Sequence, residues 1–527
     1  VQQHLDRLTS IDASFLHQEG HASHMHIGGM LIFEGPPPPY VDFLDHVRSR
    51  LHLVPRYRQK LATPPLETGR PLWVDDPDFN LRYHIRHTAL PAPGSEEQLL
   101  LLTSRLASQR LDREKPLWEM FLVEGLADGG FAIISKTHHA LVDGISGVDL
   151  ASVLFDFERA PAHTPADDEL EPWVPQPEPT SADLVLAGLR GMVRTAAGLA
   201  THALAAASDP ARSAQVLRDA AEGIGELVWA GLNPAPDTPL NVPIGPHRRY
   251  GIVRQQLAEY KEVKDALGGT VNDVVLTVVS GALAGWLQAR GVQTRGLEMR
   301  ALVPVSVRTT DQRGDLGNKL TVMRGPLPIY IEDPVARLRF VSHAMDGLKE
   351  SKQAVGAATL TAVNNLAPPT ILAQASRLNF STRLFNLLVT NVPGPQLPLY
   401  LLGRQLLDLF PVAFLPDDHA LAVAIMSYDG SLDYGLLADY DAMPDLQLVA
   451  DGIASTLAQL LAAAREVTGA APTSAGTPAK SSNGSAPRRT ASTRPARIIP
   501  AGSGRAKHGP AADMRAKRGD RSRSTRG

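Results

Sequence analysis

The chain contains no cysteine. Thiol nucleophiles, disulfides and cysteine-ligated zinc are therefore excluded, and catalysis must come from His, Ser, Asp or Asn; a reducing compartment is permitted without being required. No His-Glu-x-x-His pattern occurs, which removes the helical zinc site that pattern builds. A spanning helix needs about 20 predominantly apolar residues. Residues 184–200 are apolar but interrupted by Arg190 and Arg194, and no membrane span is expected there or elsewhere. With its small apolar face and basic punctuation, that stretch could lie on a lipid surface or pack on the body as a crossover helix. Residues 1–8 have no basic segment leading into an apolar core, so no secretory leader is expected and a cytoplasmic location is.

What is present is a 527-residue chain with 43% hydrophobic residues, enough for sizeable cores in two or three domains. Composition divides it into an N-terminal half (residues 1–160), a linker with crossover helices (161–245) that opens Pro-, Asp- and Glu-rich and exposed to about residue 182, a C-terminal half (246–468) and a basic, disordered tail (469–527). The tail carries 13 Lys plus Arg against 2 Asp, about +11, so the formal charge of −3 leaves about −14 on the body. A solvated tail is expected, with no nucleic-acid partner.

The organising stretch is residues 131–150. Residues 131–134 are a short apolar run that reads as a strand, and residues 145–157 have helical apolar spacing. His138 and His139 therefore sit where a strand stops. Asp143 is placed to cap the following helix and Gly144 supplies the tight turn. An imidazole held in such a frame suits general-base work, because its ordinary pKa of about 6.5 lets it take a proton from a hydroxyl and return it to a leaving group. A packed or capping His-His pair and a His/Asp metal site remain alternatives, the second without a third strong ligand nearby and with no metal expected.

Elsewhere, His17, His21, His24 and His26 form a cluster read as solvated imidazoles at a loop and strand edge. Prolines 36–39 end a strand entering at Met25 and precede a helix over 41–51. Ser95 with Gln98 is a capping box opening an amphipathic helix to about Arg110. Pro116, Leu117 and Trp118 read first as core anchors of a strand over 118–123, with substrate contact as the other reading. Thr270 and Asp273 cap a helix, making Asp273 structural; Asn272 sits at the mouth of that helix, where free amides favour developing negative charge, and is an oxyanion or acceptor-orienting candidate. Asn391 and Gly394 lie in a turn-like Asn-Val-Pro-Gly-Pro, and residues 422–436 read as a hairpin turning at Asp429-Gly430. Ser427, on that hairpin, reads first as a solvated hydroxyl, with facing the site as the other reading.

His138-His139-Ala-Leu-Val-Asp143-Gly144 matches the HHxxxDG signature of the CoA-dependent acyltransferase superfamily. Pro116-Leu-Trp-Glu119, Asn272-Asp273, Pro304-Val-Ser-Val-Arg308, Gly317-Asn318 and Asn391-Val-Pro-Gly-Pro395 narrow the match, as do Leu8-Thr-Ser-Ile-Asp12-Ala-Ser-Phe15 and Met25-His-Ile-Gly-Gly29. Over about residues 5–465 the chain resembles the bacterial wax ester synthase/diacylglycerol acyltransferase family. The resemblance implies an α/β fold of two chloramphenicol-acetyltransferase-like halves, mixed sheets flanked by helices, with a tunnel at their interface. It implies transfer of a long-chain acyl group from acyl-CoA, a substrate and not a cofactor, to diacylglycerol or a long-chain alcohol, with His139 as base, His138 and Gly144 shaping the turn and no acyl-enzyme. An Asp143–Arg308 ion pair would hold the turn closed, and Pro116, Leu117, Trp118, Asn391 and Gly394 would lie near the acyl channel. Peripheral contact with membrane or lipid droplets is compatible with such substrates. The competing readings are a condensation-type or polyketide-linked acyltransferase using a carrier-protein thioester, and a silent lipid-surface binding protein.

Overall fold

The computed structural model describes residues 6–65, 69–141, 154–160, 173–186, 233–306, 320–350 and 381–469. Asp143, Gly144, Arg308 and Gly317-Asn318 lie outside them, as do most of the 184–200 stretch and the tail after residue 469. The proposed Asp143–Arg308 pair therefore has no described geometry.

The strand expected at 131–134 continues to residue 138, and Phe131–His138 (β7) is buried along its whole length. It has a partner on each side, His26–Phe33 (β2) and Trp118–Glu124 (β6), both antiparallel. Its first half, residues 131–134, is the continuous apolar run of a strand covered on both faces, whereas Ser135, Lys136, Thr137 and His138 are polar and buried all the same. Ile85–Ala89 (β5) joins β6 in parallel. The other edge is completed by Arg404–Val412 (β13) and Tyr400–Leu401 (β12), giving the order β12-β13-β2-β7-β6-β5. These last two strands come from within residues 246–468, so the first sheet draws on both expected halves of the chain. Pairing of Pro411 with Gly29 across the sheet leaves no local trace in sequence.

The second mixed sheet has the order β10-β9-β11-β14-β15-β8, formed by Leu320–Pro328 (β10), Glu298–Ser306 (β9), Leu387–Pro393 (β11), Leu421–Tyr428 (β14), Ser431–Asp439 (β15) and Arg248–Gln256 (β8). A small sheet of Asp6–Arg7 (β1), Leu72–Asp75 (β4) and Gln59–Ala62 (β3) lies at the N-terminal side. The hairpin turns at Asp429-Gly430, both with positive φ (41° and 86°), the left-handed backbone that Asp and Gly tolerate. Asn391, expected in a turn, is instead in β11, whose ladder with β14 runs on through Pro393.

Helices follow their caps. Tyr40–Arg50 starts after the proline run. The Glu96–Ala107 helix has its box in place: Gln98 N–H donates to Ser95 Oγ at 3.3 Å and Ser95 N–H to Gln98 Oε1 at 2.8 Å. Thr270 and Asp273 do the same for Val271–Ala289. Two helices, Val271–Ala289 and Leu446–Thr468, are long and apolar enough by composition to cross a membrane, which the sequence reading did not anticipate. The first is mostly buried in the second sheet's core, and Val449, Ile453, Leu457 and Leu460 of the second face the same core at helical spacing. Residues 173–178, expected as exposed linker, dock on the N-terminal side: Arg58 lies over the Trp173 ring at 4.6 Å and Lys60 pairs with Glu178 at 3.3 Å.

Three apolar clusters result. One lies under each sheet, and a third joins Met30, Ile32, Phe121 and Ile134 of the first sheet to Leu302, Leu388, Ala422 and Leu437 of the second. The sheets approach closely where Gly435 meets Pro411: a Cβ on Gly435 would stand 1.8 Å from the Pro411 carbonyl oxygen, which also accepts from the Tyr250 hydroxyl at 2.9 Å. Only glycine permits that approach. Between the sheets the described residues leave a void of about 30 Å³.

Candidate active site

The β7 ladder sets the histidines. His138 is the last strand residue, opposite His26, and its N–H donates to Leu117 O at 2.9 Å. One residue on, His139 N–H still donates to Met25 O at 2.9 Å, and Leu141 N–H closes the turn onto His138 O at 2.9 Å. Met25, which holds His139, has φ of 50°, an unusual backbone for a branchless apolar side chain and one that surrounding packing must maintain.

The His138 side chain is buried, and its Nδ1 accepts from Ala140 N–H at 3.0 Å. In the neutral ring the proton is therefore on Nε2. Nε2 faces Glu19 Oε2 at 3.6 Å, an electrostatic contact longer than a hydrogen bond. Burial pushes the His138 pKa down, the Glu19 carboxylate opposes that, and the net shift is downward. For Glu19, burial raises the carboxyl pKa, but His138 and Arg113 outweigh it and hold it at about 2.

His139 is packed between two aromatic rings. Phe15 stacks on one face (centroids 3.9 Å apart, 17° between planes), and Phe414 meets it edge-on at 5.6 Å. Its Nδ1 is enclosed and has no hydrogen-bond partner. Burial, then the neighbouring His138, push its pKa down from 6.5 to about 4. Such an imidazole is neutral throughout the physiological range and can accept a proton.

Asn272 opens the Val271–Ala289 helix, and its Oδ1 accepts from Asn391 Nδ2 at 3.5 Å. Two expected site residues from distant parts of the chain thus meet at a helix N-terminus. The contact turns the Asn272 carbonyl towards Asn391 and leaves its NH2 as a donor. Asp273 is fully buried as the capping carboxylate. Gly394 N–H donates to Ser427 Oγ at 3.2 Å, and Gln396 Nε2 donates to the same oxygen at 3.1 Å. Ser427 is accordingly buried, not solvated as expected.

Leu117 and Trp118 are core: both are at most 1% exposed, the Trp118 N–H donates to Tyr57 O at 2.8 Å and the indole stacks on His84 at 4.6 Å. Pro116 is buried beside them. The histidine cluster also differs from its reading, since His24 and His26 are buried, with His24 lowered in pKa and His26 lowered further, by burial first in both cases. Solvation would have left both rings titrating normally. Among the described residues no three His, Asp or Glu side chains gather at metal-binding spacing.

Sequence reasoning missed Glu19 and Phe414, and it had Phe15 only as the end of a motif, with no role against His139. Phe15 and Glu19 are one turn apart at the end of the Ser10–Gln18 helix, a spacing that puts them on one face. That spacing was readable; what it faced was not.

Residues 8–275 match the wax ester synthase/diacylglycerol acyltransferase catalytic domain, and residues 316–461 match the family's C-terminal domain. Two Mycobacterium tuberculosis proteins, recorded as the probable diacylglycerol O-acyltransferases tgs1 and tgs2, are similar to the chain. The first is 35% identical over 87% of this chain and 96% of its own length, the second 33% identical over 86% and 99%. The wax ester synthase/diacylglycerol acyltransferase from Marinobacter aquaeolei VT8 superposes with a TM-score of 0.63 at 27% identity, over 87% of this chain and 99% of that one. The first condensation domain of the calcium-dependent antibiotic synthetase shares the fold at 18% identity (TM-score 0.55, over 87% and 96%). The chain therefore belongs to the wax ester synthase/diacylglycerol acyltransferase family and is an acyltransferase.

Proposed function

We propose that the protein transfers a long-chain acyl group from acyl-CoA to diacylglycerol, to a long-chain alcohol, or to both, with His139 as general base. The observation that carries this reading is His139 itself, a neutral imidazole at the end of β7 held between Phe15 and Phe414. In this reaction His139 takes the hydroxyl proton as the acceptor oxygen attacks the thioester carbonyl. Charge collects on the former carbonyl oxygen, and collapse expels CoA thiolate, which takes up the acceptor's proton from His139 and regenerates the neutral ring. No acyl-enzyme forms and no cofactor is needed, because acyl-CoA is a substrate. Asn272, with its NH2 directed away from Asn391, is the side-chain donor we assign to the developing oxyanion or to the acceptor. Similarity to the tgs1 and tgs2 proteins supports diacylglycerol as acceptor, and the family name supports the alcohol. Such water-insoluble acceptors suit a cytoplasmic enzyme working at a membrane or droplet surface.

The test is CoA release from palmitoyl-CoA, with dioleoylglycerol and hexadecanol offered separately, for wild type and His139→Ala. Acceptor-dependent release that is lost in a folded His139→Ala protein supports the reading and ranks the acceptors. Wild-type protein that releases no CoA above blank refutes it, and a fully active His139→Ala refutes the assignment of the base.

A further inference from the structure

The end of one short helix addresses both histidines of the turn. Within Ser10–Gln18 and its C-cap, Phe15 lies against the His139 ring and Glu19 lies against His138. Glu19 N–H donates to Phe15 O at 3.0 Å, so the two side chains are tied to one rigid turn. The Glu19 side chain is 1% exposed. Its carboxylate is held by Arg113 Nε at 2.6 Å and by Arg110 Nε at 3.3 Å, and Arg113 reaches on to Leu16 O at 2.9 Å.

A plain ion-pair role leaves this arrangement unexplained. Both arginine side chains are nearly half exposed, 43% and 48%, and water would serve them without a partner, as it does for most surface pairs. The buried group that the carboxylate faces is His138, whose Nδ1 is already committed to Ala140 N–H and whose Nε2 has no hydrogen-bond partner within the normal range. A carboxylate on that side favours the tautomer with the proton on Nε2 and disfavours the one that would repel Ala140 N–H. Ala140 N–H bonds to the His138 ring and Leu141 N–H to its backbone carbonyl, so the ring's tautomer acts, through Ala140, on the backbone turn that carries His139.

Resting on the acyltransfer reading above, we propose that Glu19 is a positioning residue: it fixes the Nε2–H tautomer of His138 and through it the turn that aims the His139 ring. It touches neither reacting atom. The carboxylate alone would favour the imidazolium, and the positive charge of Arg113 beside it works against protonation of His138.

The experiment uses the full chain with Glu19→Ala and Glu19→Gln. It measures kcat and KM for palmitoyl-CoA, the melting temperature, and the 15N signals of histidine-labelled protein, with His138 assigned by its loss in His138→Gln. Glu19→Ala is expected to lower kcat about 10- to 100-fold, the range typical of lost outer partners of a functional histidine, with KM changed less than about 2-fold. Its His138 signals should move from the Nε2–H pattern towards a tautomer mixture. Glu19→Gln, whose amide oxygen can still accept from Arg113 and present a partial negative charge to His138 Nε2, should recover kcat to within about 5-fold of wild type and keep the Nε2–H pattern. A folded Glu19→Ala with wild-type kcat overturns the proposal, as do His138 signals that ignore both substitutions. Equal losses in both variants that follow the melting temperature reduce Glu19 to a structural residue and overturn it too. Should Glu19→Ala fail to fold, the tautomer and kcat of Glu19→Gln decide: a lost Nε2–H pattern with unchanged kcat is a refutation. Wild-type protein inactive towards every acceptor defeats the acyltransfer reading instead, while the 15N signals still report the Glu19 contact.

Discussion

Removing Phe414 should move His139 part of the way back towards an ordinary histidine. The ring is walled by Phe15 on one face and Phe414 at the edge, and its pKa lies at about 4 instead of 6.5. Holding the ring at about 4 disfavours its charged form by about 3 kcal/mol relative to an ordinary histidine. If each wall excludes water from one side, Phe414→Ala returns about one unit. The sign follows from the direction of the shift: a lowered folded pKa keeps the ring neutral, and the base available, down to about pH 4 in wild type. The acid limb of kcat/KM, which reports the free enzyme, should thus move from about pH 4 to about pH 5 in the variant. Cavity formation at Phe414 costs about 3 to 5 kcal/mol, so folded protein must be verified at each pH, and Phe414→Leu supplies a milder intermediate. CoA release read by chromatography between pH 4 and 8 is the assay. A wild-type acid limb near 6.5, or one that Phe414→Ala leaves in place, refutes the reasoning.

Trp118→Phe should lower stability by about 1 to 3 kcal/mol, because Tyr57 O loses its buried donor, while leaving kcat per folded molecule near wild type; a changed acyl-chain preference in a stable variant would instead place Trp118 in the substrate path. Gly435→Ala should unfold or aggregate the protein, since its Cβ would overlap the Pro411 oxygen, and a melting temperature within about 2 °C of wild type would contradict the close sheet approach. Stability should also fall as pH drops below 6.5. Burial holds His46 and His84 at about 4, so the unfolded chain binds more protons between those values and loses nothing above them. From pH 7 to pH 5 each contributes at most about 2 kcal/mol of lost stability, measurable as a lower urea midpoint, and a midpoint unchanged between those pH values would count against their burial.

Several features were legible because their causes are local. The capping boxes at Ser95 and Thr270 depend on residues three apart, and the Asp429-Gly430 turn depends on two residues that accept positive φ. The strand before His138 was legible as an apolar run, though its end was not: residues 135–138 read as polar, and Ser135, Lys136 and Thr137 are buried only because β2 and β6 flank them. The same limit hid the burial of His24, His26 and Ser427, each polar in sequence and enclosed by elements from elsewhere. Asn391 was misread for a related reason. Its neighbours Pro393 and Gly394 signal a turn, yet pairing with β14 extends the strand through Pro393.

What the sequence by itself determined was the chemistry available: no thiol, two adjacent histidines at a strand end, and motifs in an order that resembles one acyltransferase family. Tertiary structure decided how those groups behave. Glu19 reaches His138 from 119 residues away, and Phe414 reaches His139 from 275. β13 leaves the second half of the chain to pair with β2. A histidine's proton affinity depends on the water and charges around the ring, and those come from packing between segments that share no local pattern.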